Sequence, residues 1–461
     1  MSSPISLRTF LLHARSHLEA SLRQKQPLHF IIGNESADLD SITSTLLYAY
    51  FRSSSSNNSS QRSTVPSLTT SHSTAAFSRY YIPVLNIPSA DISIRPELLT
   101  LLRHVDLEQS QLITLSDLPS APHTNVLPAE NTSWTLVDHN ALQGTLGSAY
   151  SSRVLGCIDH HDDEGKVPLS EEQRGGEPRV IEVAGSCTSL VIEHFRSVWD
   201  GMLGSAQATK ITPSSETTPR YQGADTSPTQ PEIATQLAKL ALASILIDTS
   251  NLQNEDKTTS HDQHAVAFLS TKISDEEFDR KAYFRTLQAA KKDLDALSVD
   301  DVLRKDYKEW NEGGRTLGVS SVVKPLEWLS EKARTETRTA VGGSEEHVQQ
   351  QAFKSDVQAF AKARALAVYG IMTTSTSAKT GEFTRELMLY VREPAATGMV
   401  QMFEEKAGEK LGLEQWHEEG KGEVLRLSEA KASGFQVWRQ RKVENSRKQV
   451  APLLREALAS L

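Results

Sequence analysis

The amino-acid sequence predicts an α/β protein of two domains: an amino-terminal domain built on a mainly parallel sheet with flanking helices, and a smaller α/β carboxyl-terminal domain, with the active site in the cleft between them. Three observations carry this expectation. The chain has 461 residues, longer than one hydrophobic core usually serves, and its 38% hydrophobic content permits packed cores. Through the first half, short apolar runs alternate with helix-period segments, as in a parallel sheet. Those runs also stop at acidic clusters, and in an open α/β sheet the loops leaving the carboxyl ends of strands form the ligand crevice.

The first run, His29-Phe30-Ile31-Ile32, stops at Gly33 and leads through Asn34-Glu35-Ser36-Ala37-Asp38-Leu39-Asp40 into a helical pattern marked by Leu46, Leu47 and Tyr50. This reads as strand, loop, helix, with Asp38 and Asp40 at the crevice mouth. Trp134-Thr135-Leu136-Val137 leads into Asp138-His139-Asn140, and Val154-Leu155-Gly156-Cys157-Ile158 into Asp159-His160-His161. Ser244-Ile245-Leu246-Ile247 precedes Asp248 in the same way. All four runs are predicted as strands, each delivering a carboxylate at its end. Gly185-Ser186-Cys187-Thr188 precedes a helix-like segment and suits an anion or an ordinary cap equally well.

The first domain is expected over residues 1–255 and the second over 280–461, opening with the helical stretch Phe278 to Leu297. The region 256–279 between them is expected to be a linker, beginning in the polar run Gln253 to Thr259, where a hinge would close one domain on the other. Arg52 to Ser73 and Ser205 to Gln230 are too poor in apolar residues to pack and read as disordered inserts. Thr335 to Gln351 is a third polar segment, and its Gly342-Gly343 pair lacks the apolar strand that would make it a binding motif.

Carboxylates gathered this densely repel one another, whereas Mg²⁺ or Mn²⁺ is bound by hard oxygen ligands supplemented by imidazole. An isolated strand-ending Asp is commonly a turn or cap residue; four in this order, with adjacent histidines in the third, point to a metal pair. Two divalent ions about 3.5–4 Å apart share a bridging water, lower its pKa and clamp the oxygens of an in-line displacement on phosphorus. Phosphoryl transfer to water is the chemistry such a set supplies. His139 reads as support for Asp138.

The spacing Asn34-x-x-x-Asp38-x-Asp40, then Asp138-His139-Asn140, Asp159-His160-His161 and Asp248, resembles the Asp-His-His (DHH) phosphoesterase superfamily. Within it, Gly33 to Ser41 is most similar to the fungal cytosolic exopolyphosphatase branch, related to the manganese-dependent inorganic pyrophosphatases and prune. The resemblance implies two divalent metal ions, Mg²⁺ or Mn²⁺, held by Asp38, Asp40, Asp138, His160 and Asp248, with Asp138 and Asp248 bridging. It makes His161, Asp138 and Asp248 the catalytic residues, His161 facing the substrate. The pyrophosphatases carry a metal-binding His where this chain has Asn34. An amide is a poorer ligand for a transition ion, so Asn34 is expected to weaken one metal position, favour Mg²⁺ and meet a longer substrate.

The protein is acidic overall, with a formal net charge of −9, yet Lys431, Arg439, Arg441, Lys442, Arg447 and Lys448 face a single acid, Glu444, near the carboxyl end. Ser446-Arg447-Lys448-Gln449 resembles the Ser-Arg-Lys motif with which the family's second domain grips phosphate. Arg447 and Lys448 are therefore expected to bind substrate, a planar fork beside a mobile point charge. Arg439 and Arg441 read as solvated surface, and Arg385 opens a strand-like run.

The net charge argues against general nucleic-acid binding, so a polyanion must be drawn in by a local field. The amino terminus lacks a signal-peptide core, no stretch approaches a membrane span, and two cysteines, Cys157 and Cys187, are too few for a disulfide framework. A cytoplasmic protein without a membrane or inferable protein partner is expected. The resemblance implies an exopolyphosphatase that hydrolyses terminal phosphoanhydride bonds of linear inorganic polyphosphate by a two-metal hydroxide mechanism. The alternatives are an inorganic pyrophosphatase, a prune-like cyclic-nucleotide phosphodiesterase and a non-enzymatic polyphosphate-binding scaffold.

Overall fold

Burial on both faces explains why the strands of the first sheet read as nearly continuous apolar runs. They are β1 (Leu28–Ile32), β2 (Tyr81–Val84), β3 (Thr132–Val137), β4 (Val154–Asp159) and the short β5 (Arg179–Ile181). They pair in the order β2-β1-β3-β4-β5, parallel throughout. The computed structural model describes residues 4–59, 80–119, 126–203, 228–340, 351–376, 380–416 and 434–461. The chain divides into two compact units, Met1–Ala290 and Lys291–Leu461.

The helices of the first unit are α1 (Leu7–Gln24), α2 (Leu39–Ser59), α3 (Pro96–His104), α4 (Gly144–Tyr150), α5 (Glu171–Arg174), α6 (Cys187–His194), α7 (Arg196–Leu203), α8 (Gln230–Asp248) and α9 (Ser260–Ser270). A further helix, α10 (Arg280–Lys292), runs across the boundary. Helix α1 shows the helical logic plainly. Ser6 caps it through a hydroxyl that accepts from Thr9 N, and Leu7, Phe10, Leu11, Ala14 and Leu18 form its buried stripe. Helix α2 packs on β1, β2, α6 and α8. Beneath it Glu177 is buried, accepting from Tyr48 (2.7 Å), Tyr81 (3.1 Å) and Arg52 Nη2 (3.1 Å).

The strand order places the site. From β1 the chain goes to β2 on one side, then returns to lay β3 on the other, so the loops after β1 and β3 diverge at a topological switch point. The loops carrying Asn34 and Asp138 are those two.

Three expectations change. Ser244-Ile245-Leu246-Ile247 is not a strand but the last turn of α8, whose start is set by a Thr229–Glu232 capping box. A four-residue apolar run cannot be told from a buried helical turn by periodicity. The expected linker 256–279 contains α9, capped by Thr259 and Asp262 and packed on α6 and α8, so the unit boundary lies beyond it. Arg52 to Ser59 continue α2, and Thr335 to Ala340 continue the helix α12 introduced below. The rest of the first insert through Ser73, most of the second, Gly342-Gly343 and Lys431 lie outside the described residues.

The second unit opens with α11 (Val299–Lys305), followed by β6 (Tyr307–Glu312), β7 (Arg315–Val322), α12 (Leu326–Ala340), α13 (Ala352–Ala363), β8 (Val368–Thr376), β9 (Phe383–Val391), α14 (Gly398–Leu411), β10 (Leu413–Gln415), β11 (Phe435–Gln440) and α15 (Arg447–Ala459). Its mixed sheet has the order β10-β11-β9-β8-β7-β6, with only β7 and β8 parallel. Alternation divides two cores between its faces: Tyr369, Ile371 and Met388 join Phe353, Val357 and Phe360, while Val368, Met372, Leu387 and Leu389 join Phe403, Leu454 and Leu458.

Candidate active site

Asp138 stands at the centre. It follows β3 directly, is buried, and has a left-handed backbone, φ 60°, a strained conformation of the kind that persists where surroundings over-determine it. Asn34 Nδ2 donates to its carbonyl oxygen (3.1 Å) and to Oδ2 (2.7 Å), and Ser41 Oγ donates to the same Oδ2 (2.6 Å). Asn34 Oδ1 accepts from Ser36 N at 2.9 Å. Asn34, expected at the substrate, is buried, with its amide on Asp138 and on its own loop. It holds Oδ2 and leaves Oδ1 to face the histidines.

The second element of the site is the end of β4. His160 Nδ1 donates to the Ala184 carbonyl oxygen at 2.9 Å, which in the neutral ring puts the lone pair on Nε2. That Nε2 lies 3.1 Å from Asp138 Oδ1 and 3.8 Å from Asp40 Oδ2. Lone-pair atoms brought so close repel unless a proton or cation lies among them. Two ligands at right angles about an ion bound at about 2.1 Å stand about 3.0 Å apart, so the His160–Asp138 pair fits a small divalent cation. His161 is oriented in the same way, its Nδ1 donating to Asp159 Oδ1 at 2.7 Å, with that nitrogen 3.8 Å from Asp138 Oδ1. Ligand atoms of Asp138, His160 and His161 lie within 4.8 Å of one another.

Asp159 organises both histidines. Fully buried, it accepts from His160 N (2.7 Å), His161 N (3.2 Å), His161 Nδ1 (2.7 Å) and Asn140 Nδ2 (2.6 Å). Burial opposes its ionisation, but the hydrogen bond and charge of His161 and the bond from Asn140 outweigh it and hold the carboxyl below its ordinary range.

Asp40, in the first turn of α2, meets the amino end of α6. Its Oδ1 accepts from Ser186 Oγ (2.6 Å), Thr188 N (2.9 Å) and Thr188 Oγ1 (2.8 Å), and Oδ2 from Cys187 N (2.6 Å). The anion that this helix start suits is therefore the protein's own carboxylate. Burial, with the nearby Asp138 charge, pushes the Asp40 carboxyl up to about 6. A cation beside Oδ2 would relieve both causes.

Asp38 caps α2, its Oδ1 accepting from Ser41 N at 3.0 Å. The capping reading and the ligand reading of this residue are compatible, because Oδ2 makes no part of the cap. Asp248 ends α8 one turn beyond Ser244, whose hydroxyl joins Thr188 (2.9 Å) and Thr43 (2.8 Å) in a buried network reaching Asp40. After it Ser250, Asn251 and Leu252 all have positive φ, at 51°, 58° and 65°. Such backbone costs about 1–2 kcal/mol per residue and gathers at functional sites.

In the second unit, Ser446 caps α15 through a capping box with Gln449, which opens the helix on Arg447 and Lys448. Arg447 is held by Asp306, with Nη1 on its carbonyl oxygen (2.9 Å) and Nη2 on Oδ1 (2.7 Å). Arg439 pairs with Glu382 and Arg441 with Glu414, as solvated surface cations do. Arg385, in β9, donates from Nε to the Val443 carbonyl oxygen, and burial lowers its pKa. Sequence reasoning missed Asp159, Asn140 and Ser41 as supports. Asp159 and Asn140 belong to the quoted motifs, which is the one signal that marks them.

Comparison with known proteins identifies the family of the two units. Residues 29–245 match the DHH family, N-terminal domain, and residues 285–457 match the DHHA2 domain. The chain is 30% identical to a Schizosaccharomyces pombe protein named "Putative exopolyphosphatase", covering 98% of this chain and 95% of that one. It is 25% identical to Exopolyphosphatase PRUNE1 of Bos taurus, over 96% of this chain and 78% of the relative. A solved Methanococcus jannaschii structure, described as a "putative family II inorganic pyrophosphatase", superposes with a TM-score of 0.50 at 16% identity, covering 94% of this chain and 99% of that chain, a likeness of fold. With the matched domains in this order and a full-length relative at that identity, the chain belongs to the DHH phosphoesterase superfamily.

Proposed function

We propose that this protein is a metal-dependent exopolyphosphatase that removes terminal orthophosphate from linear inorganic polyphosphate. The observation that carries the reading is His160: its Nδ1 is fixed on Ala184, and its Nε2 faces the carboxylates of Asp138 and Asp40. Asp38, Asp40, Asp138, His160 and Asp248 would hold two divalent ions, Mg²⁺ or Mn²⁺, an oxygen-rich set with one imidazole. Bound there, the ions would supply Lewis acidity toward phosphate and an acidified water. The substrate class rests on the names of the two exopolyphosphatase relatives.

The chain's own groups do the rest. Asp159 fixes the His161 ring, so that its opposite nitrogen is positioned to give a proton to, or share one with, the departing phosphate oxygen. Asn34 and Ser41 hold one oxygen of Asp138 and so fix the direction of the other. Arg447 and Lys448 bind successive phosphates of the chain, Asp306 setting the guanidinium plane. Both cysteines are free and buried, which suits the cytoplasm, and no helix among the described residues is long and apolar enough to cross a membrane.

The test is orthophosphate release from long polyphosphate, tripolyphosphate, pyrophosphate and cyclic AMP, each with Mg²⁺, Mn²⁺ or chelator. Metal-dependent release from the two polyphosphates, weak on pyrophosphate, is expected. Hydrolysis confined to pyrophosphate or cyclic AMP would keep the metal site and discard the substrate, and binding of polyphosphate without any hydrolysis would favour a scaffold.

A further inference from the structure

Two carboxylates share the amino end of α6. Asp40 takes Cys187 N and Thr188 N, while Asp262, from the first turn of α9, takes Gly185 N (2.8 Å) and Ser186 N (3.2 Å). Asp262 is fully buried and accepts further from Ser189 Oγ (2.7 Å), Thr259 N (2.8 Å) and Thr259 Oγ1 (2.8 Å). These are all donors, so the residue must offer acceptors on both oxygens, which a carboxylate does and an amide does not.

The turn that Asp262 grips supports two of the proposed ligands. Its Ala184 carbonyl oxygen takes the His160 Nδ1 proton at 2.9 Å, and its Ser186 hydroxyl donates to Asp40 at 2.6 Å. Packing leaves the turn little other freedom. A Cβ at Gly185 would meet Asp262 Oδ2 at 2.7 Å, the Thr249 methyl at 2.7 Å and the Lys257 carbonyl oxygen at 2.8 Å. Thr249 directly follows Asp248. A single carboxylate outside the acidic motifs thus fixes the backbone on which His160 and Asp40 lean, against the residue next to Asp248.

We propose that Asp262 is a positioning residue of the metal centre, acting through the 184–186 turn on His160 and Asp40. This rests on the metal site proposed above. Groups that orient metal ligands typically change metal affinity by about 10–100-fold when altered.

The test is Mn²⁺ binding by calorimetry on the full chain for wild type, Asp262→Asn and Ser189→Ala, at a temperature where circular dichroism shows each folded. Asp262→Asn is expected to weaken Mn²⁺ by about 10–100-fold, and Ser189→Ala to weaken it less in the same direction. Asp262→Asn that melts earlier but binds Mn²⁺ as wild type does would make Asp262 a structural residue only and overturn the proposal. If Asp262→Asn does not fold, Ser189→Ala decides, and unchanged Mn²⁺ affinity there overturns it. Wild type that binds no Mn²⁺ would remove the metal reading itself, a failure distinct from a wild type and a variant that bind equally.

Discussion

Asn34 shows how one side chain redirects a site. Its two amide hydrogens lie on Asp138, so the pocket wall at this position donates hydrogen bonds where an imidazole would offer a lone pair. Asn34→His is expected to tighten Mn²⁺ binding, to shift preference from Mg²⁺ toward Mn²⁺ and to raise pyrophosphate turnover, as read by metal titration and orthophosphate release. Asp40 sets the pH behaviour. With its carboxyl pushed up to about 6, the metal-free site holds, below about that pH, a proton that a cation must displace. The native state then binds more protons than the unfolded chain between about pH 4 and 6, so this group's contribution lowers metal-free stability as pH rises through that window, and a bound cation reverses it. Mn²⁺ affinity is expected to fall by about tenfold per pH unit below about 6, measured by calorimetry in chelator-free buffer, and an affinity flat from pH 7 to 5 would contradict the assignment.

Asp138, His160 and His161 were legible because each follows a strand buried on both faces, where an apolar run can only end in a loop at the crevice. The supports were not, because Ser41 and Asp262 act on partners far apart in sequence and read locally as a helix start and an ordinary capping box, while Asp159 reads as one more strand-ending carboxylate of its motif.

At the scale of elements, α2, α6 and α8 are bound by buried hydroxyls: Thr188 Oγ1 meets Asp40, Thr43, Ser44 and Ser244 within 2.8–2.9 Å. Thr188→Val keeps the shape and removes that hub. It is expected to destabilise the fold by about 1–3 kcal/mol, since several buried polar groups lose a partner, read as a lowered urea midpoint. Glu177 ties α2 to the sheet with Arg52, and Glu177→Ala, which removes the buried carboxylate that Tyr48, Tyr81 and Arg52 share, is expected to cost about 3–5 kcal/mol. The element that sequence reasoning misassigned, α8, is also the one whose apolar residues surround the helix. Nearly every residue from Leu237 to Leu246 is buried, so no polar face marks its period.

On the scale of the whole molecule, the proposed function assigns metal-ligating acids to the unit of the parallel sheet and phosphate-binding cations to the unit of the mixed sheet, in a chain of net charge −9. Arg447→Ala is expected to raise the KM for polyphosphate with a smaller change in kcat, and to flatten the dependence of KM on ionic strength, because it removes a charge that attracts substrate. A loss confined to kcat would place Arg447 in the chemical step instead. The two-domain α/β division was legible from length and from alternation of runs, whereas the boundary was not, because α9 follows a polar run that looks like a linker and is a capped, packed helix.

In the proposed function, Asp138, His160 and Asp40 gather the metal on which polyphosphate hydrolysis depends. The most direct measurement is bound Mn²⁺ and orthophosphate release from long polyphosphate on the same preparations of wild type and Asp138→Ala, across one Mn²⁺ titration. Release that rises with bound Mn²⁺ in wild type, with both lost in folded Asp138→Ala, is the expected result. Hydrolysis that persists in chelator, or in Asp138→Ala at full activity, would contradict it.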